Sequence, residues 1–309
     1  MQYILLLFIF LAFQSQGQEQ IFLFSYFTDN GQDGLHLAYS KDGLKWEALN
    51  NGKSFVTPTV GNDKLMRDPF ILQGKDGIFH MVWTSSWKER QIGYASSKDL
   101  INWSEQKAIP VMAHEPTAKN CWAPEMVYDP QNKNYIIFWA TTIPGRHSEV
   151  ASSENEKGLN HRMYSTTTSD FKTFSPTKPF FNPDFSVIDA TILPKGNSFY
   201  MFLKNENSNP PEKNIRMTQS KNASGPYPTQ VSPPITGNYW AEGPTALEIG
   251  EYVYVYFDKY TEHKYGAVRS KNRKDWEDVS DKVFFPKGVR HGTAFKVSNE
   301  VFKNLSKLK

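Results

Sequence analysis

The sequence predicts an all-β fold, a five-bladed β-propeller whose N- and C-terminal segments share one blade. Three observations carry that reading. One polar phrase recurs five times, strands rich in aromatic and β-branched residues precede each copy, and the chain opens and closes in mid-unit.

The phrase reads Ser40-Lys41-Asp42-Gly43-Leu44-Lys45-Trp46, then Ser97-Lys98-Asp99-Leu100-Ile101-Asn102-Trp103, then Ser169-Asp170-Phe171-Lys172-Thr173-Phe174. It returns as Ser220-Lys221-Asn222-Ala223-Ser224-Gly225-Pro226-Tyr227 and as Ser270-Lys271-Asn272-Arg273-Lys274-Asp275-Trp276. Ser, Asp, Asn and Gly are turn formers, so each copy is a polar turn closed by an aromatic. The closing aromatics lie 57, 71, 53 and 49 residues apart. Each copy follows a strand-like segment such as 35–39, 91–95 or 266–269.

Two further strands precede each turn. The aromatic, β-branched set is 22–27, 79–84, 135–140, 199–203 and 252–257. The inner set begins Asp68-Pro69-Phe70, Pro124-Glu125-Met126, Asp189-Ala190-Thr191, Glu242-Gly243-Pro244 and His291-Gly292-Thr293. No stretch sustains an amphipathic helix. Units of this length with three or four strands suit propeller blades, which leave few unpaired edges. The chain starts in the middle of a unit at 22–27 and ends on the inner strand that begins at His291, so the ends complete one blade and close the ring.

Composition bounds the function. Apolar residues make up 39% and charged residues 22%, with 22 Phe, 15 Tyr and 8 Trp, enough for a packed core. A net charge of +3 is far from the basic footprint of a nucleic-acid binder. The single Cys121 excludes an internal disulfide and a thiolate metal cluster. The apolar run 3–13 is too short to span a bilayer and reads as the core of an export signal over 1–17. One catalytic domain over 18–309 is expected, monomeric, without a membrane span, and secreted or periplasmic because no lipid-anchoring cysteine follows the signal.

The chemistry converges on the axis. The inner strands carry Asp68, Glu125, Asp189, Glu242 and His291, spaced 57, 64, 53 and 49 apart, and the repeat is expected to bring all five to one end of the central channel as equivalent positions. Crowded carboxylates drive each other's pKa values apart, which separates an acid from a base. With no phosphate loop and no serine-nucleophile motif, paired carboxylates point to glycosidic-bond hydrolysis. No cofactor is required; a wet channel or a structural calcium is the plainer reading of the same acids. Trp83, Trp87, Trp122 and Trp240 lie close to these motifs and could offer flat faces to sugar rings.

Arg67-Asp68-Pro69, Trp122-Ala123-Pro124-Glu125, Val187-Ile188-Asp189 and Glu242-Gly243-Pro244, in this order at blade spacing, resemble glycoside hydrolase family 43. The resemblance runs through nearly the whole chain to His291-Gly292. It implies a five-bladed, inverting glycosidase acting on arabinose-, xylose- or galactose-containing glycans. By motif, Asp68 would be the general base, Glu242 the general acid, and Asp189 the residue that keeps Glu242 protonated and oriented. Arg67, Trp87, Trp122, Glu125, Arg290 and His291 would bind substrate, and His291 could also hold a water or reach a metal through one.

Departures from the family pattern bear on the sugar. The second motif ends in Glu125 where Asp is common, the third reads Asp189-Ala190 rather than Asp-Pro, and Thr245 stands where the xylosidase branch has His. The chain ends soon after Val297, and many xylosidases of the family carry a further sheet domain. Both features lean toward an arabinofuranosidase or galactosidase. The alternatives are a retaining sucrose- or fructan-type hydrolase and a carbohydrate-binding propeller without catalysis. Thr28-Asp29-Asn30-Gly31 only faintly echoes the nucleophile motif of the first, and loss of the acid set expected of the second has not occurred. His36, His80, His114, His147, His161 and His263 lack ligand spacing and are expected on the surface or satisfied in the core. The long loop 141–162, with Arg146, His147 and Glu149, is a candidate pocket rim, and the basic end 303–309 a solvated tail.

Overall fold

The computed structural model describes residues 20–148 and 158–308. The expected export segment 1–17 and Glu149 lie outside the described residues. Among those described, strands form five sheets. The first opens with β1 (Ile21–Tyr26), β2 (His36–Ser40) and β3 (Glu47–Ala48). The second holds β4 (Arg67–Gln73), β5 (Phe79–Thr84), β6 (Ile92–Ser97) and β7 (Lys107–Ile109). The third holds β8 (Trp122–Asp129), β9 (Asn134–Thr142), β10 (His161–Thr168) and β11 (Lys178–Phe181). The fourth has three strands, β12 (Val187–Lys195), β13 (Ser198–Asn205) and β14 (Asn214–Ser220). β15 (Glu242–Ile249), β16 (Tyr252–Lys259), β17 (Lys264–Ser270) and β18 (Glu277–Asp278) form the fifth. β19 (Thr293–Val297) then returns to β1, pairing from Ile21 with Val297 to Ser25 with Thr293. The ring of five blades closes as its sequence phase requires.

Each blade is covered on both faces by its neighbours, so its second strand is buried and largely apolar. All six residues of β1 and all six of β5 are buried. The core is accordingly divided into five slabs, one between each pair of adjacent sheets. Trp83 fills the slab between the first and second sheets, Trp139 the next, and Phe138 with Phe199 the third. Phe202 and Phe257 occupy the fourth, Phe24, Trp46 and Tyr256 the fifth. Burying one such ring is worth about 1.5–3 kcal/mol. Trp83, one of the four tryptophans beside the motifs, is therefore a core residue.

The recurring phrase forms one turn. The Ser40 hydroxyl accepts from Gly43 N at 2.8 Å, the Asp42 carboxylate from Leu44 N and Lys45 N at 2.8 and 2.9 Å, and the Trp46 indole donates to Gly43 O. Ser97 and Asp99 do the same for Leu100, Ile101 and Asn102, as do Ser270 and Asn272 for Arg273, Lys274 and Asp275. In the third copy Thr168, not Ser169, holds the first place, accepting from Phe171 N at 2.8 Å.

Two expectations are corrected. A helix does form: α1 (Asn299–Leu305) is capped by Ser298, whose hydroxyl accepts from Val301 N. The basic end is not wholly a solvated tail, because Leu305 is buried and Phe302 packs on Tyr39 with centroids 4.8 Å apart. The expected long loop is also shortened, since β9 runs through Thr142 and β10 starts at His161. No described helix is long and apolar enough to cross a membrane.

Candidate active site

A shared irregularity of the inner strands builds the site. Arg67 pairs with Thr84 and Phe70 with Val82, so Asp68 and Pro69 face the single residue Trp83 across a bulge. The same step separates Trp122 from Glu125, Ile188 from Thr191 and Glu242 from Thr245. The bulge's first residue takes a left-handed backbone in all four: Asp68 at φ 52°, Ala123 at 44°, Asp189 at 52° and Gly243 at 58°. Asp tolerates this region better than most residues, and a bulge re-aims its side chain. In the first sheet, Arg290 N donates to Phe27 O, which places Arg290 and His291 in the corresponding positions.

This register corrects the expectation that five ionisable residues occupy equivalent positions. Arg67, Trp122, Ile188, Glu242 and Arg290 form one tier, Asp68, Ala123, Asp189, Gly243 and His291 the next. Glu125 belongs to a third, with Phe70, Thr191, Thr245 and Thr293. The motifs are offset by one or two residues around the bulge, so their spacing conceals the tier.

The first tier, with Asp68, Asp189 and His291 of the second, lines a cavity of about 220 Å³. Arg67, Asp68, Asp189, Glu242, Arg290 and His291 all face it, with Trp87 and Trp122. Glu125, expected in the substrate pocket, is 3% exposed and does not line it; its Oε2 has no partner among the described residues. Trp240 also lies outside the lining, against Tyr260.

Asp68 is held from two sides. The Thr84 hydroxyl donates to Oδ2 at 2.7 Å, and His291 Nδ1 stands 3.3 Å from Oδ1. Burial opposes its charge, but His291 and Arg67 together with these hydrogen bonds bring its pKa down to about 2. His291 also stands 4.0 Å from Asp189 Oδ1. Burial opposes the imidazolium, yet Asp189, Asp68 and Glu125 raise its pKa to about 9, so it is a cation at neutral pH. Asp189 Oδ2 accepts from Gly243 N at 3.0 Å. Burial lifts its pKa to about 6 against the pull of His291 and Lys204, with Glu242 and Asp68 adding to the rise. Burial also lifts Glu125 to about 8.

Glu242 is clamped by cations from both flanking blades. Lys204 Nζ donates to Oε2 at 3.1 Å, and Arg290 Nη2 to Oε1 at 3.2 Å. Burial pushes against ionisation, but Lys204 and Arg290 outweigh it and hold Glu242 below its ordinary value. The directions run against the expectation that Asp189 keeps Glu242 protonated: the raised pKa is on Asp189 and the lowered one on Glu242. Arg290 Nε also donates to Asp258 at 2.6 Å, and Lys204 lies 2.7 Å from Glu206.

Thr84, Lys204 and Asp258 were not singled out from sequence. They are the register partners of Arg67, Ile188 and Glu242. Each is a polar residue closing an apolar strand, as in Phe202-Leu203-Lys204 and Tyr256-Phe257-Asp258, and that was the available signal. His161, set aside as core, packs tilted against Trp122 with centroids 5.0 Å apart, and burial lowers its pKa to about 3. From the loop 141–162, Arg146 pairs with Glu115 and Leu159 reaches the cavity lining. Among the described residues no group of three or more His, Cys, Asp or Glu could hold a metal ion.

Fold and site together define a propeller of the glycoside-hydrolase type. The chain belongs to the glycoside hydrolase 43-related family: residues 18–302 match its model, described as a probable glycosyl hydrolase domain. It is 25% identical over 184 residues to an α-L-arabinofuranosidase of Bifidobacterium longum subsp. longum, a stretch that covers 53% of this chain and only 17% of that relative. An α-L-arabinanase of Cellvibrio cellulosa, solved with arabinohexaose, superimposes with a TM-score of 0.58 at 15% identity, over 88% of this chain and 97% of its own. An α-L-arabinofuranosidase of Lactobacillus brevis gives 0.51 at 16% identity, over 69% and 72%. At such identities the solved structures speak for the fold.

Proposed function

We propose that this chain hydrolyses O-glycosidic bonds of plant-type polysaccharide or oligosaccharide side chains, releasing an α-L-arabinofuranosyl or β-D-galactosyl unit with inversion. The carrying observation is that Asp68, held ionised, and Glu242 line one cavity, smaller than the roughly 300–1,000 Å³ of drug-sized sites and so suited to a single sugar. The arabinofuranosidase relative supports the arabinose reading.

In this reading Asp68 takes a proton from water while Glu242 gives one to the departing oxygen. Asp189 and Glu242 act as a pair that holds one proton below about pH 6, resting mainly on Asp189. The productive arrangement places that proton on Glu242. His291 holds Asp68 and Asp189 apart and in place, and Arg67 and Arg290 bind sugar hydroxyls.

The test is turnover of aryl α-L-arabinofuranoside, β-D-galactoside, β-D-xyloside and a linear arabinan, unaltered protein beside Asp68→Asn. Asn tolerates the left-handed backbone of position 68, so the variant should fold. One substrate turned over, with about a thousandfold loss in the variant, is the expected result. Binding of oligosaccharide with no turnover would leave a carbohydrate-binding propeller, and a retained anomer in the first-formed product would exclude inversion.

A further inference from the structure

A second depression, of about 520 Å³, adjoins the catalytic cavity on the side of the second and third sheets. Trp87, Trp122 and Leu159 line both, so the two are continuous. The tryptophans meet edge to face, with centroids 5.6 Å apart and an interplanar angle of 85°. Their rings are fixed in place. The Trp122 indole donates to Trp87 O at 3.0 Å, the Trp87 indole to Asn30 at 3.1 Å, and the Arg67 guanidinium lies 4.2 Å over the Trp87 ring. Trp87 is nevertheless 39% exposed, a large aromatic face left to solvent beside the reacting groups.

The same groove carries Lys88 and Lys119. Both are exposed, and among the described residues neither ammonium lies within 4.0 Å of a carboxylate, although Lys88 stands near enough to Asp63 to lower its pKa. The neighbouring carboxylates are held by neutral donors. Asp63 accepts from the Ser86 hydroxyl at 2.5 Å and Trp87 N at 3.1 Å, and Glu89 from Asn62 N at 2.7 Å. The Asn120 amide is spent on Ala140 O and Thr142 N. Fixed aromatic faces with two exposed cations match an anionic sugar: apolar ring faces lie on the indoles and a carboxylate meets the ammonium groups.

We propose that this groove is a leaving-group subsite for acidic glycans, taking a uronic-acid-bearing oligosaccharide whose cleaved residue occupies the catalytic cavity. The inference rests on the hydrolase reading for the identity of that cavity. It makes the preferred substrate an acidic, branched polysaccharide rather than a neutral linear one.

Titration calorimetry on Asp68→Asn tests it, using glucuronate-bearing oligosaccharides from acidic arabinogalactan and the same oligosaccharides after carboxyl reduction. The acidic form should bind about tenfold more tightly, with the preference shrinking as salt rises, and Lys88→Ala with Lys119→Ala should abolish it. The lysine double variant should keep turnover of a neutral aryl glycoside, which shows that it is folded. Equal binding of the two forms, no binding of the acidic form, or a preference that survives the lysine replacements would overturn the subsite. Failure of the hydrolase reading looks different: the unaltered protein would turn over no glycoside at all.

Discussion

Lys204 and Glu242, from adjacent blades, meet at 3.1 Å in a site where the lysine side chain is 2% exposed and the glutamate 21%. An ammonium so buried is held charged by its partners; Glu242 and Glu206 raise its pKa despite burial. The proposed acid is thus under an opposing field until a ligand arrives. That field sets the population of the reactive protonation state and with it the pH range of activity.

Replacing Lys204 by Met should move that range. The Asp189–Glu242 pair keeps its single proton only below about pH 6, so kcat/KM of the unaltered protein should fall as pH rises through that value. Without the ammonium, Glu242 loses its largest source of depression and the falling limb should shift to higher pH. The change also leaves Glu206 and Glu242 short of a cation, with a stability loss of about 3 kcal/mol by urea unfolding. An unshifted limb would show that Lys204 has no part in the proton balance.

Glu242→Gln separates an acid from a mere binder. Glycosides with sugar leaving groups need protonation and should lose about a hundred- to a thousandfold in kcat. Aryl glycosides with acidic phenol leaving groups should lose much less. Equal losses on both would remove the acid role.

Glu125 should reveal itself through stability rather than turnover. Its pKa in the folded protein is about 8 against an ordinary 4.5, so the folded state binds the extra proton. Its contribution is complete below about pH 4.5 and is lost as pH rises through 8. Glu125→Gln, which resembles the protonated acid, should be nearly neutral at pH 4 and stabilising by a few kcal/mol above pH 8. Urea midpoints across that window are the measurement, and parallel curves would contradict the assignment.

Gly243 is constrained twice. Its φ is +58°, and a Cβ there would lie 2.3 Å from His291 Cγ. Gly243→Ala should therefore displace His291, destabilise the fold by about 1–3 kcal/mol and weaken activity, with the imidazolium resonance shifted in NMR. A variant of unchanged stability and spectrum would show that the backbone and ring relax together.

The turns and blades could be read in the sequence because their signals are local. Ser40-Lys41-Asp42-Gly43 writes its own hydrogen bonds, and 22–27 with His291-Gly292 declares a shared blade. Asp68, Asp189 and Glu242 were legible because charged residues interrupt apolar strands. The tier of each was not, since a bulge changes the count by one residue without a mark in the sequence. Lys204 reads as an ordinary strand end until the fourth blade is set against the fifth. The helix α1 carries a Ser298 cap signal but buries only Leu305, too thin a stripe for periodicity to register.

The blade shared by the two ends has a consequence in time. Arg290 and His291, which hold Glu242 and Asp68, are carried on the segment leading into β19, which pairs with β1. As the chain emerges from the ribosome, Arg67 and Lys204 appear along with the three carboxylates, but Arg290 and His291 come after all of them. A nascent chain that has made four blades therefore holds an acidic centre that still lacks two of its four cations. β19 supplies the missing edge and the segment leading into it the last two cations, so the charge balance of the site is completed together with the ring.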